Sequence, residues 1–332
     1  MVYHMAMDRN TVFITKITPL LLEWYRKNAR VLPWREDPTP YKVWLSEIML
    51  QQTRVEAVKP YFQRFIAVLP DVKALAEASE DTVLKLWEGL GYYSRAKNLR
   101  RAAKQIVERY GGEMPATFEE LSLLSGIGSY TAGAIASIAF GEAVAAVDGN
   151  VLRVLSRIFM SEADISSSFV KKEAERFLAS VMPKEEPGAF NQALMELGAT
   201  VCLPNGQPKC AVCPIFVHCI AAQADCATAY PKKSPKKERR KEKRTVVILL
   251  DGQDKTALEK RPPSGLLGGL WEFPNLEGAL TEEQVTEQLE KEGYLVHDFL
   301  LTRRAKHIFT HIEWEMTGYF IRVTPPKGNR YT

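Results

Sequence analysis

The chain has 332 residues, which is enough for two domains of ordinary size. Hydrophobic residues make up 46% and charged residues 25%, which excludes a disordered chain, a collagen-like repeat and a small disulfide-bonded scaffold. The net charge of +4 is too small to indicate nucleic-acid binding by itself. No apolar run approaches the roughly 18 residues of a membrane span, and Met1 to Thr15 do not read as a signal peptide. We therefore expect a cytoplasmic protein.

Helical periodicity dominates from Lys16 to Tyr230. The clearest sets at helical spacing are Ile48, Met49, Gln52 and Val55; Leu84, Leu86, Trp87 and Leu90; and Val151, Leu152, Leu155 and Ile158. Turn signals at Gly111-Gly112 and from Pro183 to Pro187 separate such segments. Residues 1–230 are therefore predicted to form an all-α domain.

A basic segment follows the helical region. Between Lys232 and Arg244 there are nine Lys or Arg residues and two Glu residues, and no apolar residue. Such a segment cannot pack into a core, so residues 231–244 are predicted to be an interdomain linker. Two roles stay open for it: a solvated connection, or a connection that also follows DNA phosphates.

The pattern changes after this segment. Residues Thr245 to Leu250 form an apolar run that predicts a buried strand, and Thr317 to Val323 predict another. An amphipathic helix is predicted between them, from Thr281 to Glu292. Residues 245–332 are therefore expected to form a small α+β domain.

Four of the five cysteines lie within 18 residues, at Cys202, Cys210, Cys213 and Cys219. Without a signal peptide, clustered thiols indicate metal ligands rather than disulfides. Zinc sites usually use two separate C-x2-C pairs, whereas this segment has one such pair followed by Pro214. The spacing therefore favours a 4Fe-4S cluster.

Two further segments carry chemistry-bearing residues. Gly126, Ile127 and Gly128 form a glycine-bracketed turn before a small-residue helix, which suits backbone contacts to a phosphate. About 20 residues later, Asp148 stands in a Val-Asp-Gly-Asn turn. This aspartate has two possible roles, as a carboxylate in a cleft or as the N-cap of the next helix.

The order of these motifs resembles the endonuclease III superfamily of DNA glycosylases, and within it the MutY family of adenine glycosylases. The segments that carry the resemblance are Pro33–Arg35, Ser46–Val55, Trp87–Arg95, Gly269–Pro274 and Phe309–His311. The resemblance covers roughly residues 18 to 323. It implies a mainly α helix–hairpin–helix glycosylase domain with an iron–sulfur loop, followed by a small α+β Nudix-like domain. The first cysteine spacing is one residue longer than is usual in the family.

The resemblance implies catalytic roles for Glu47, Asp148, Tyr130 and Asn150. Glu47 lies among apolar residues, so burial should raise its pKa and let it protonate adenine. Asp148 would stay ionised and stabilise the sugar cation, and Asn150 would orient a water or a backbone group. Bifunctional relatives have lysine where this chain has Tyr130. A phenol cannot form an imine, so the chain is expected to lack efficient lyase chemistry.

The target base must leave the helix stack before Glu47 can reach it. By resemblance, Gln52 and Tyr92 are the residues that intercalate, while one of Tyr92 and Tyr93 packs in the core. Arg30, Trp34 and Gln192 resemble positions that line the adenine pocket.

The second domain resembles a Nudix-like domain that recognises 8-oxoguanine through Phe309, Thr310 and His311. It lacks the Arg-Glu pair of a Nudix hydrolase, so recognition without hydrolysis is expected. The domain also ends early compared with such domains, and we expect it to be incomplete. The expected partner is double-stranded DNA with A:8-oxoG or A:G mispairs, bound by a monomer.

Two other interpretations stay open. One is an endonuclease III-like glycosylase and lyase acting on oxidised pyrimidines, against which Tyr130 and the second domain argue. The other is a non-catalytic DNA-binding scaffold, against which Glu47 and Asp148 argue.

Overall fold

The computed structural model describes residues 11–235, 238–253, 255–262 and 264–326. Contacts between residues divide the chain into two units, Met1–Ser234 and Pro235–Thr332. Residues 1–10, on which part of the signal-peptide argument rests, lie outside the described residues, as do residues 327–332, on which the expectation of an early end rests.

The first unit is helical, as predicted. After a π-helical turn at Phe13–Ile17, its helices are α1 (Thr18–Asn28), α2 (Pro33–Glu36), α3 (Pro40–Leu50), α4 (Val55–Val68), α5 (Val72–Glu77), α6 (Glu80–Trp87), α7 (Ser94–Tyr110), α8 (Phe118–Ser122), α9 (Ser129–Phe140), α10 (Gly149–Ile158), α11 (Ser168–Val181), α12 (Pro187–Thr200) and α13 (Ile220–Gln223). Short 3-10 turns lie at Cys210–Val212, Phe216–His218 and Ala227–Ala229. No helix among the described residues is both long and apolar enough to cross a membrane.

Local sequence explains where many of these helices begin. A side-chain oxygen accepts a hydrogen bond from a backbone amide in the first turn, which satisfies a donor that the helix itself cannot pair. The residues that cap helices in this way are Thr39, Asp71, Ser79, Thr117, Asp148 and Ser167. The predicted turns at Gly111-Gly112 and Pro183 to Pro187 separate α7 from α8 and α11 from α12.

The helical spacing misled the prediction at the end of α3. Ile48 and Met49 lie on α3, but Val55 begins α4, and Gln52 lies in the break between the two helices. Gln52 has a φ of 59°, a left-handed conformation that a continuous helix does not contain. The periodic spacing of apolar residues across this break therefore does not reflect one helix.

Two clusters of buried side chains hold the first unit together. One includes Trp44, Phe65 and Trp87, from helices α3, α4 and α6. The other includes Phe13 and Phe190 and the apolar face of α10. Residues of both clusters line the cleft described below, Trp34 from the first and Leu152 from the second. The cores therefore position the walls of the candidate site.

The second unit contains a four-stranded sheet in the order β4-β1-β6-β5 and a two-stranded pair. Its elements are β1 (Arg240–Leu250), β2 (Glu259–Lys260), β3 (Trp271–Glu272), β4 (Asn275–Glu277), α14 (Glu282–Lys291), β5 (Leu295–Ile308) and β6 (Ile312–Thr324). β1 is parallel to β6 and antiparallel to β4. The two predicted strands and the predicted helix are confirmed. β5 was missed because it alternates poorly and is mostly exposed.

The predicted linker is wrong over its last five residues. Residues Arg240 to Arg244 form the first half of β1 and pair with Ile312 to Met316 of β6. Strand pairing uses backbone groups, so a segment without apolar side chains can still join a sheet. The Arg244 guanidinium also lies 5.4 Å from the ring centre of Trp314. Lys236 and Lys237 lie outside the described residues.

Candidate active site

A cleft of about 730 Å³ opens in the first unit. Predicted site residues that line it are Arg30, Trp34, Glu47, Gln52, Tyr130, Asp148, Asn150 and Gln192. Its volume is in the range of clefts that bind small organic molecules. Tyr92 does not line it.

Glu47 lies on α3 with only 8% of its surface exposed. Burial raises its pKa to about 7, and the negative charge of Asp148 acts in the same direction. The Tyr130 hydroxyl donates to Glu47 Oε2 at 2.6 Å and opposes this rise, as does Arg35. Burial and the Glu47 charge raise the pKa of Tyr130 well above its ordinary value, so its hydroxyl keeps its proton. Glu47 can therefore carry a proton at neutral pH, which a general acid requires.

Asp148 has both of the roles that the sequence left open. Its Oδ1 accepts from the Val151 amide at 2.7 Å and caps α10, while its carboxylate lines the cleft. Burial raises its pKa, and hydrogen bonds from Val151 and Asn150 oppose that rise. Asn150 Nδ2 donates to Asp148 Oδ2 at 2.7 Å, a partner that the sequence did not predict. Asn150 therefore orients the carboxylate itself.

Asn150 is held in turn by Arg153 and Gly198. Arg153 donates to Asn150 Oδ1 at 2.9 Å, and also to the carbonyl oxygens of Gly198 at 2.7 Å and Cys202 at 2.9 Å. A β-carbon at Gly198 would lie 2.6 Å from the Asn150 side chain, so glycine is needed for this close approach. Hydrogen bonds therefore run from the Asp148 carboxylate to the start of the cysteine segment.

The sequence missed two charged residues of the predicted base pocket, Glu196 and Arg35. The Glu196 side chain is fully buried and accepts from Arg30 at 2.6 and 3.0 Å and from Arg35 at 2.9 Å. Although burial acts to raise the Glu196 pKa, the two guanidinium groups hold it below its ordinary value. Arg35 also donates to Gln192 Oε1 at 3.1 Å. Two signals in the sequence could have revealed Glu196 and Arg35. Glu196 lies four residues after Gln192 on α12, and Arg35 directly follows Trp34.

Trp34 is the apolar member of the predicted base pocket. It is 5% exposed and packs edge-on against Phe62, with 5.4 Å between the ring centres. A flat indole beside polar side chains is a suitable surface for a planar base.

Gln52 and Tyr92 have unusual backbone conformations. Their φ values are 59° and 48°, in the left-handed region that residues other than glycine rarely adopt. Tyr92 is 47% exposed, whereas Tyr93 packs partly buried against the core. One tyrosine of the pair packs and the other is exposed, as the sequence predicted.

The glycine-bracketed turn joins α8 to α9 and completes a helix–hairpin–helix. Gly126 has a φ of 76°, and Gly128 is the N-cap of α9. The Ile127 side chain is buried, and its amide donates to the Leu124 carbonyl at 3.2 Å. Ile127 therefore does not present its side chain to DNA, which restricts the predicted contact to the backbone around it.

The four predicted metal ligands lie between α12 and α13. Burial raises the pKa of Cys213 to about 12 and of Cys219 to about 11, and the other thiols act in the same direction. Arg157 donates to Cys202 Sγ at 3.1 Å. In the part of the chain that the structure describes, no group of three or more His, Cys, Asp or Glu side chains is arranged to hold a metal ion. Four neighbouring thiols are nevertheless the donor set that an iron–sulfur cluster requires.

In the second unit, Phe309, Thr310 and His311 form the turn between β5 and β6. The Phe309 amide donates to the Ile312 carbonyl at 2.8 Å, and its ring centre lies 5.0 Å from that of Trp314. Thr310 and His311 are exposed. The two strands therefore hold the turn, and Thr310 and His311 are accessible to a ligand.

Comparison with known proteins shows which family the chain belongs to. Residues 45–180 match the HhH-GPD superfamily of base excision DNA repair proteins, and residues 245–331 match the NUDIX domain family. The adenine DNA glycosylase of Schizosaccharomyces pombe is 34% identical, over 92% of this chain and 81% of its own length. The adenine DNA glycosylase of Buchnera aphidicola subsp. Schizaphis graminum is 36% identical, over 85% of this chain and 79% of its own length. The chain belongs to the adenine DNA glycosylase family.

The match to the human adenine DNA glycosylase is 38% identical over 88% of this chain and spans 62% of the human protein. Among solved structures, a thermostable thymine-DNA glycosylase is similar at a TM-score of 0.57 and 26% identity, over 65% of this chain and 98% of that one. Endonuclease III in a DNA complex is similar at a TM-score of 0.54 and 23% identity, over 63% of this chain and 96% of that one. This similarity shows the fold alone. The helix–hairpin–helix and Nudix-like fold class is confirmed.

Proposed function

We propose that this protein is a monofunctional DNA glycosylase that removes adenine mispaired with 8-oxoguanine or guanine in base excision repair. The observation that carries the proposal is the hydrogen bond from Tyr130 to a buried Glu47 in a cleft that also contains Asp148. Membership of the adenine DNA glycosylase family supports adenine as the base.

Glu47 acts as the general acid. Its pKa of about 7 leaves a substantial fraction protonated at neutral pH. Because Tyr130 donates to Oε2, the transferable proton belongs on Oε1, from which it passes to N7 of adenine. Protonation makes the base a neutral leaving group, so the bond to the sugar can break. After departure of the base, Glu47 accepts a proton from the attacking water.

Asp148 stabilises the oxocarbenium ion that forms on the sugar. Its negative charge faces the cleft and is held by Asn150 and the start of α10, so little reorganisation is needed as positive charge develops. The negative charge of Asp148 adds to the rise in the pKa of Glu47, so Glu47 carries the proton while Asp148 is charged. This division suits glycosidic cleavage.

Gln52 and Tyr92 take the space of the displaced base, and Arg30, Trp34 and Gln192 line the pocket that receives adenine. Tyr130 stands where a lyase needs a lysine, which supports hydrolysis without strand cleavage. Contacts with the duplex at the hairpin Gly126, Ile127 and Gly128 use the glycine amides, because the Ile127 amide already donates to the Leu124 carbonyl.

The accessible turn of the second unit supports a role for Phe309, Thr310 and His311 in reading 8-oxoguanine. An aromatic ring can stack on a base, and a hydroxyl and an imidazole can hydrogen-bond to its edge. Because the second unit belongs to a Nudix-like fold, the same site fits recognition of an oxidised guanine.

Cys202, Cys210, Cys213 and Cys219 would hold a 4Fe-4S cluster in this proposal. When bound, the cluster crosslinks the loop that begins at the Arg153 hydrogen bond to Cys202. Iron and sulfide analysis of the purified protein tests it: about four irons per chain support the assignment, and one zinc without iron overturns it.

The test of the function uses duplexes that contain A:8-oxoG, A:G or thymine glycol, incubated with and without alkali. Adenine release with strand breaks only after alkali is the expected result. Strand breaks without alkali, or release of thymine glycol, would favour the endonuclease III-like alternative. Binding without release of any base would favour a scaffold. Wild-type protein and the Glu47→Gln variant should be compared at equal iron content.

A further inference from the structure

The Arg95 side chain lies between two loops that the mechanism needs. Its Nη1 donates to the carbonyls of Ile48 at 2.7 Å, Met49 at 2.9 Å and Gln51 at 2.8 Å. Its Nη2 donates to the carbonyls of Leu90 at 3.2 Å and Gly91 at 3.1 Å. One buried guanidinium therefore joins the end of α3 to the loop before α7.

The location of this cation is unusual for a helix. Arg95 lies in the first turn of α7, where a positive charge opposes the helix dipole. Burial lowers its pKa to about 10, which still leaves it charged at neutral pH. The unpaired carbonyls at the end of α3 supply the compensating negative potential. The charge is therefore stabilised by the two loops rather than by its own helix.

Each loop carries one residue with a left-handed backbone immediately beside the Arg95 contacts. Gln52 follows Gln51, and Tyr92 follows Gly91. A left-handed conformation outside glycine persists only where the surroundings hold it. Trp87 adds a second support, because its Nε1 donates to the Gly91 carbonyl at 3.1 Å. The contacts of Arg95 and Trp87 are therefore made directly beside both left-handed residues.

We propose that Arg95 is a positioning residue that holds the Gln52 and Tyr92 loops at a fixed separation, so that both side chains enter the DNA together. This inference rests on the proposed function. A guanidinium suits the task because its planar fork serves two loops at once, whereas a lysine ammonium is a single point on a flexible stem. Loss of the clamp should impair extrusion of the base and leave the chemistry of Glu47 unchanged.

The test compares Arg95→Lys with Arg100→Lys. Arg100 lies on the same helix and donates to the Ala78 carbonyl at 2.6 Å, away from both loops. A 2-aminopurine placed 3′ to adenine in an A:8-oxoG duplex reports unstacking by fluorescence, and single-turnover kinetics report adenine release. The Arg95→Lys variant should lose most of the fluorescence rise and about 10- to 100-fold in rate, since misplacement by about 1 Å can have that effect. Arg100→Lys should behave as the wild type.

Two readouts separate positioning from a general loss of structure. The pH midpoint of the remaining activity should stay that of the wild type. The rate loss should shrink at least about threefold on a duplex with mismatches beside the target, where stacking is already weak. An unchanged fluorescence rise, or an equal loss on both duplexes, would overturn the inference.

A second variant decides the matter if Arg95→Lys does not fold. Trp87→Phe removes the indole donor to the Gly91 carbonyl and leaves a smaller aromatic ring at the same core position, and a smaller loss in the same direction is expected. A Trp87→Phe protein that unstacks the duplex as fully as the wild type would contradict the proposed positioning of the two loops. If the wild type unstacks the duplex but releases no adenine, the proposed function fails. The fluorescence comparison between wild type and Arg95→Lys still tests the positioning role of Arg95.

Discussion

Replacing Glu47 with glutamine should stop adenine release and yet stabilise the folded protein above neutral pH. Glutamine has the same shape and can still accept the hydrogen bond from Tyr130, but it cannot donate an acidic proton. General acid catalysis contributes about 10² to 10⁴-fold, so the single-turnover rate should fall at least 10²-fold. DNA binding should stay nearly intact.

The stabilisation follows from the raised pKa of Glu47. Its pKa of about 7 in the folded state, against an ordinary 4.5, means that the folded protein holds an extra proton between these two values. Unfolding free energy therefore declines as pH rises from about 4.5 to about 7, by about 3 kcal/mol in total. Glutamine removes this decline, because it does not ionise.

Urea denaturation of wild type and Glu47→Gln between pH 5 and pH 8.5 measures the effect. The variant should be more stable at pH 8 by up to about 3 kcal/mol, and the difference should shrink towards pH 5. Glu36→Gln, which changes an exposed carboxyl on α2 in the same way, serves as the matched control. A difference that is constant across pH would refute the electrostatic reasoning. A variant that keeps more than about a tenth of the rate would remove Glu47 from its role.

Three other outcomes are expected. Tyr130→Phe removes a hydrogen bond that lowers the Glu47 pKa, so the midpoint of the rate against pH should move up; an unchanged or lower midpoint contradicts this. Asp148→Asn should lower the single-turnover rate at least about 10²-fold, because it removes the negative charge that faces the sugar cation. Its free energy of unfolding should change by less than about 1 kcal/mol, because asparagine also caps helices well. Gly198→Ala places a methyl group against Asn150 and should reduce the rate about tenfold and stability by about 1 to 3 kcal/mol, measured by the same assays.

The sequence was sufficient for the parts that depend on local pattern. Helical spacing, capping residues and glycine turns identify the helical unit, and the apolar runs identify β1 and β6. Glu47 could be recognised as a candidate acid because its neighbours on the same helix are apolar. The cysteine spacing and the residue at Tyr130 are also properties of the chain alone.

Tertiary structure decided whatever depends on residues distant in the sequence. Tyr130 meets Glu47 across 83 positions, and Glu196 pairs with Arg30 across 166, so no local pattern could predict these contacts. Gln52 was assigned to a helix because periodicity ignores backbone conformation, whereas the backbone is left-handed there and the preceding Gln51 carbonyl accepts from Arg95. The pKa of Glu47 likewise depends on burial by the whole fold, since removal from water makes its charge costly.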